Sequence, residues 1–150
     1  CSEDIRTIKI RDIGKIAENF FEASLRGFGI NNCDFIVGDA HDLPFDRNTF
    51  DLVLSSNLID RVENPQKTIY ESWRVLKKGG VMLITDPLNW GEIKKQSSNV
   101  DQWKCNLLDF FDGKKWKTLS EIDGIPFIFR YHSRHKSTLY NQAVIVEKMG

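Results

Sequence analysis

Two apolar runs of strand length, Phe50–Leu54 and Val81–Ile84, constrain this chain more than any other feature. Polar or turn-forming residues bound each run, as expected of strands covered on both faces. Between them lies a helix pattern. Asn64 is placed to cap it, Pro65 suits its first turn, and Ile69, Trp73 and Leu76 form its buried stripe. Lys77-Lys78 and Gly79-Gly80 mark its end. A strand, a helix and a second strand in that order predict a parallel βαβ unit.

The flanks extend the pattern. Thr7–Ile10 reads as a strand, and Ile13, Ile16, Ala17, Phe20, Phe21 and Leu25 recur at helical spacing before Gly27, Gly29 and a turn at Asn31-Asn32. Asp34–Val37 reads as a strand stopped by Gly38-Asp39, with a loop over 41–48. Trp103, Leu107, Leu108, Phe110 and Phe111 predict a third helix. Ile125–Tyr131 and Ala143–Lys148 read as a closing antiparallel hairpin joined by the polar stretch Ser133–Ser137. The expected fold is α/β: a Rossmann-like, doubly wound mixed sheet, mostly parallel with a C-terminal antiparallel hairpin. Residues 1–150 read as a single domain.

Composition narrows the function. Lys plus Arg number 21 against 21 Asp plus Glu, so the net charge is zero. Nucleic-acid binding rests on a basic excess and counterion release, and a polybasic membrane surface needs the same excess. Neither is expected here. No apolar run reaches the length of a spanning helix. Cys1, Cys33 and Cys105 have neither disulfide nor zinc spacing, which fits a reducing, cytoplasmic setting. His132 and His135 would face opposite sides of a strand, so no metal site is expected.

In such sheets ligands gather at the carboxyl ends of the strands. The residues there are Arg11-Asp12, Gly38-Asp39-Ala40, Ser55-Ser56-Asn57 and Asp86-Pro87. Asp12 and Asp39 stand 27 residues apart at the ends of successive predicted strands. One such acid can accept ribose hydroxyls and the next an adenine amine, with Leu43, Pro44 and Phe45 walling the base. Equally, Asp12 can cap the following helix and Gly38-Asp39 can serve as a plain turn.

The words Phe35-Ile36-Val37-Gly38-Asp39-Ala40 with Asp42-Leu43-Pro44-Phe45, then Phe50-Asp51-Leu52-Val53, then Arg74–Gly80 running into Val81–Ile84, occur in order and at matching distances. In this the chain resembles class I S-adenosylmethionine-dependent methyltransferases of the small-molecule type. The resemblance implies S-adenosyl-L-methionine as cofactor, with Asp12 at the ribose, and Asp39 and the Ala40 amide at the adenine. It puts Ser55, Ser56 and Asn57 at the methionine end, and Asp86 to Trp90 toward a small-molecule methyl acceptor. Asp60, Asp86, Trp90 and Arg130 are the candidate acceptor contacts. No residue is assigned a catalytic role, because a sulfonium methyl is already activated and needs chiefly a positioned acceptor. Ser56–Val62, Asp86–Trp90 and Ile125–His132 are also similar to methyltransferase domains of ovothiol-type biosynthesis, which implies a histidine-derived imidazole or an amine as acceptor.

One departure stands out. No glycine-rich loop of the G-x-G type follows a strand, and Gly27-Phe28-Gly29 ends a helix pattern. The expectation is an N-terminally truncated fold, its C-terminal two-thirds. It would bind cofactor weakly and self-associate through exposed sheet. The alternatives are a non-catalytic remnant acting as a binding or scaffold module and, with less in its favour, a nicotinamide-dependent oxidoreductase.

Overall fold

The computed structural model describes residues 5–10, 19–24, 34, 36–90, 104–132 and 135–150. The chain divides into two compact units, Cys1–Val37 with Ile128–Thr138, and Gly38–Phe127 with Leu139–Gly150.

In the first unit, β1 (Ile5–Ile10) pairs antiparallel with β2 (Asn19–Ser24), with Ile8 opposite Phe21 and Lys9 opposite Phe20. This corrects the helix expected over 13–25, because its second half is extended. Adjacent aromatics such as Phe20-Phe21 favour a pleated strand, and β1 offers the ladder partner that local periodicity could not reveal. The strand expected over 34–37 is also absent among the described residues: Ile36 and Val37 are exposed and carry no ladder pairing. They lie where one unit gives way to the next.

The second unit holds β3 (Phe50–Ser56), α1 (Pro65–Val75) and β4 (Leu76–Asp86). It also holds most of β5 (Trp116–His132) and β6 (His135–Lys148), in the sheet order β3-β4-β6-β5. β3 and β4 are parallel, with Leu52 opposite Val81 and Ser56 opposite Thr85. β4 and β6 are antiparallel, with Val81 opposite Glu147 and Asp86 opposite Gln142. Only two residues join β5 to β6, a link that fits antiparallel neighbours and is too short for a parallel crossover. The sheet is therefore mixed, as expected, and its last strands are longer than the sequence pattern indicated. The third helix is not a helix: only a 3-10 turn, Leu107–Phe110, is formed among the described residues. Asn106 caps it by accepting from the Leu108 amide at 2.8 Å, and Phe111 already has extended backbone.

α1 forms where predicted. The Asn64 side chain accepts from the Lys67 amide at 3.0 Å. Ile69 packs with Leu76, Met82, Ile84, Val144 and Val146, and Ile59, Trp90, Leu107, Phe110 and Trp116 close the core. At the far end, the Lys148 ammonium donates to the Leu76 carbonyl at 2.6 Å and to Asn48 Oδ1 at 2.9 Å. It thus supplies the cation that a helix C-terminus favours. Gly80 is required by space, because a Cβ there would sit 2.9 Å from the Lys77 carbonyl oxygen and 3.2 Å from that of Asp51. On the sheet's other face Leu52 and Leu54 are 61% and 66% exposed.

Candidate functional site

The parallel pair fixes one rim. Ser56 and Asp86 end β3 and β4, and the Asn57 amide donates to the Thr85 carbonyl at 2.8 Å as the chain leaves the sheet. Asn57 adopts a left-handed backbone, φ 51°, which asparagine tolerates better than most side chains. Asn141 of β6 donates to Asn57 Oδ1 at 2.6 Å and to Thr85 Oγ1 at 3.0 Å, so one buried amide ties three strands together. Ser55 Oγ and Asn141 Oδ1 are buried there without a hydrogen-bond partner.

Beside this rim the 39–45 segment is laid on α1. Asp39 Oδ1 accepts from the His41 amide at 2.8 Å and from His41 Nδ1 at 2.9 Å. His41 Nε2 accepts from the Asn64 amide at 3.3 Å, which requires the Nδ1–H tautomer and links Asp39 to the start of the helix. The hydrogen bond from the His41 amide, followed by that from its ring, holds the Asp39 carboxyl below the usual range. The Asp39 side chain is 66% exposed and open to a ligand. Glu71 accepts from the Leu43 amide at 2.9 Å, while Arg74 donates to the carbonyls of Leu43 and Phe45, each at 2.7 Å. Arg74 also clamps Glu71 at 2.8 Å, and that contact holds the Glu71 carboxyl low and the guanidinium high.

Two carboxylates lie fully buried at the rim. Asp86 Oδ2 accepts from the amides of Ile59 and Asp60 at 2.8 and 3.3 Å, and Oδ1 accepts from the Leu88 amide at 2.8 Å. Asp60 accepts from the Asn89 amide at 2.9 Å and meets Arg61 Nε at 3.1 Å. Burial pushes Asp86 up to about 6, assisted by the nearby Asp60 charge, and burial raises Asp60 as well. The two side chains cross-link the loops that follow β3 and β4.

Next to Asp86 opens a cleft of about 260 Å³, walled by Leu88, Cys105, Asp123, Tyr140 and Gln142. Gln142 shapes it by accepting from the Leu107 amide at 2.6 Å and donating to Asn106 and Glu121 at 3.0 and 2.6 Å.

The structure therefore brings Ser55, Ser56, Asn57, Asp60 and Asp86 together at the carboxyl rim, with Asp39 and Ala40 in the segment tied to α1. Trp90 is placed differently. It is 6% exposed within the core, its Nε1 donates to the Lys104 carbonyl at 2.9 Å, and its ring meets Phe110. Trp90 was expected among the acceptor contacts; in the structure its indole packs inside, as an apolar ring at a strand end can. Asp12 and the Arg130 side chain lie outside the described residues. Asn141 and Gln142 were missed as parts of the site, and His41, which the sequence places near it, reads there as a solvated loop residue. The signal for His41 was its place two residues after Asp39, but the polar residues of β6 gave none.

A donor set rich in carboxylate, amide and hydroxyl oxygens, with Asp60 and Asp86 at the rim and Asp39 and Asp42 in the segment laid on α1, suits an uncharged nucleoside or a cation better than a phosphate. Among the described residues no group of three His, Cys, Asp or Glu side chains is placed to hold a metal. No described helix is long and apolar enough to cross a membrane.

A Rossmann-like mixed sheet of this kind is found in solved S-adenosylmethionine-dependent methyltransferases. Residues 12–124 match the methyltransferase-domain family, and the chain belongs to it. It is similar to the chloroplastic 2-methyl-6-phytyl-1,4-hydroquinone methyltransferase 1 of rice, 38% identical over 68 residues, which are 45% of this chain and 21% of that protein. It is likewise similar to a ubiquinone/menaquinone biosynthesis C-methyltransferase of Blochmanniella floridana, 42% identical over 66 residues, 43% of this chain and 26% of that protein. The matched stretch thus spans about a fifth to a quarter of these relatives' length. Among solved structures, a SAM-dependent methyltransferase of Methanosarcina mazei shares the fold. Its TM-score is 0.52 at 15% identity, covering 77% of this chain and 67% of that one.

Proposed function

We propose that the protein transfers a methyl group from S-adenosylmethionine to a small nitrogen acceptor, an imidazole or an amine. The observation that carries this reading is the polar cleft beside Asp86, which Asp123 also lines and to which, among the described residues, no Lys or Arg contributes. A carboxylate-lined cleft favours a cationic or proton-donating acceptor by direct Coulomb attraction. The cofactor supplies an electrophilic methyl when bound. This chain's residues would do the remaining work: Asp39 and the Ala40 amide hold the adenine edge, and Ser55, Ser56 and Asn57 line the amino-acid end. Asp86 fixes the loops against which the acceptor rests. Asp60 acts through those loops rather than by touching substrate. Bringing donor and acceptor into line and excluding water supplies most of the rate enhancement.

A second reading has its own support. Of the relatives named above, one is a hydroquinone methyltransferase and the other a ubiquinone/menaquinone biosynthesis C-methyltransferase, which favours a hydroquinone carbon as acceptor. The test is to incubate the full natural protein with S-adenosylmethionine and separate panels of imidazoles, amines and hydroquinones. Mass spectrometry then follows S-adenosylhomocysteine and the methylated product. Turnover with imidazoles or amines is expected. Turnover confined to hydroquinones would establish the second reading. No cofactor binding by calorimetry would leave a non-catalytic binding module.

A further inference from the structure

Asn57 is pinned to its neighbours through backbone and side chain alike. Its amide donates to the Thr85 carbonyl at 2.8 Å, its φ of 51° sets the bend after β3, and its Oδ1 accepts from Asn141 Nδ2 at 2.6 Å. Asn141 belongs to β6 and is 4% exposed. Its second N–H serves Thr85 Oγ1 at 3.0 Å.

The donor count decides which way both amides face. A side-chain NH₂ has two hydrogens, and Asn141 spends them on two acceptors, while its own Oδ1 stays buried without a partner. With Asn141 turned over, the buried orphan would be an NH₂ with unpaired donors, and an orphaned carbonyl is the more tolerable of the two. Asn57 therefore gives its Oδ1 to Asn141 and turns its NH₂ the other way. Among the described residues that NH₂ has no hydrogen-bond partner, and it keeps accessible surface on a residue that is only half-buried. An NH₂ donates and cannot accept from an ammonium. Of the two charged groups on an amino acid it can serve only the carboxylate. The nearby Asp86 already spends both its oxygens on backbone amides, which offsets the repulsion it would otherwise exert.

We propose that Asn141 is a positioning residue for cofactor binding: by occupying Asn57 Oδ1 it presents the Asn57 NH₂ to the carboxylate of the cofactor's amino-acid end. This role rests on the proposed placement of that end beside Ser55, Ser56 and Asn57. An amide whose orientation is set before the ligand arrives has little ordering left to lose on binding.

The test is calorimetric titration of the full natural protein and two variants with S-adenosylhomocysteine and with its decarboxylated analogue, which keeps the adenosine, the sulfur and the amine. Asn141→Leu frees the Asn57 amide to turn. Asn57→Asp keeps the bond from Asn141 and replaces the outward NH₂ by an oxygen. Each should weaken S-adenosylhomocysteine by at least about tenfold, the scale of one hydrogen bond to a charged group, and neither should weaken the analogue. Equal weakening of both ligands in Asn141→Leu would mark a general support of the rim and overturn the positioning role. So would an unchanged S-adenosylhomocysteine affinity in Asn57→Asp. A natural protein that binds neither ligand would remove the cofactor site itself, and this role with it. A second measurement needs no substitution. In ¹H–¹⁵N spectra of the free natural protein the Asn141 NH₂ hydrogens should exchange slowly with water and the Asn57 pair quickly; the reverse order would overturn the orientation.

Discussion

Titrating Asp86 should make this protein lose stability as pH rises through a range in which carboxylates ordinarily stay quiet. The folded state holds the group at about 6 against an ordinary 3.8. A group whose folded value is raised contributes stability that is fully present below the unfolded value and lost as pH climbs through the folded one. At about 1.4 kcal/mol per pH unit the displacement amounts to at most about 3 kcal/mol, lost between pH ~4 and ~6.5. It is an upper bound because Asp86 borders a cleft that water can enter, which screens the charge. Asp60, raised in the same direction, adds to the slope. Asp39 and Glu71, both held low, act oppositely, and their contribution is lost only as pH falls below the ordinary carboxylate range. The assay is urea unfolding at half-unit steps from pH 4.5 to 7.5, on the natural protein and on Asp86→Asn. The amide cannot titrate. It also presents an NH₂ where a backbone amide now donates, a penalty independent of pH. The variant's stability should therefore be lower overall and distinctly flatter with pH. Parallel curves for the two proteins would refute the assignment of the slope to Asp86.

Other outcomes follow from the same contacts. Gly80→Ala forces a Cβ against two backbone carbonyls, and calorimetric melting should show a loss of about 1–3 kcal/mol. Arg74→Met removes the donors to Leu43 and Phe45 and strips Glu71 of its partner, so hydrogen exchange at the Leu43 and Phe45 amides should accelerate. Asp39→Ala should weaken S-adenosylmethionine binding by about tenfold in calorimetry, and unchanged affinity would remove Asp39 from the proposed site. Asp123→Lys should shift acceptor preference from cationic toward anionic compounds in a product screen while leaving cofactor affinity unchanged.

The parts of the fold written in local chemistry were legible. Asn64 and Pro65 announced the start of α1, and the runs at Phe50 and Val81 announced the parallel pair, because capping and burial act on neighbouring residues. What depended on distant pairing was not legible. Phe20 and Phe21 fit a helical stripe until β1 is known to lie beside them. Ile36 and Val37 fit a strand until a ladder partner is sought and not found. β6 looked shorter than it is because Asn141 and Gln142 are polar. Both are nevertheless buried, with their amides committed to Asn57, Thr85, Asn106 and Glu121. Strand patterning detects apolar faces and overlooks polar residues whose amide groups donate hydrogen bonds inside.

The same distinction divides the site. Asp60 and Asp86 carry the right chemistry at the right strand ends, but Asp86 spends Oδ2 on the Ile59 and Asp60 amides of the other loop and Oδ1 on Leu88 of its own, and Asp60 Oδ2 accepts from Asn89 across the loops. A carboxylate so committed has little capacity left for a ligand and much influence on loop position. Removing it would disturb both loops together and so alter cofactor and acceptor binding at once. Asp39 is the converse case, with one oxygen anchored by His41 and an exposed face left over. Choice of acceptor then falls to the residues that line the cleft without supporting the rim, Asp123, Tyr140 and Cys105. These can change without unpicking the buried network, which is how one scaffold can serve different acceptors.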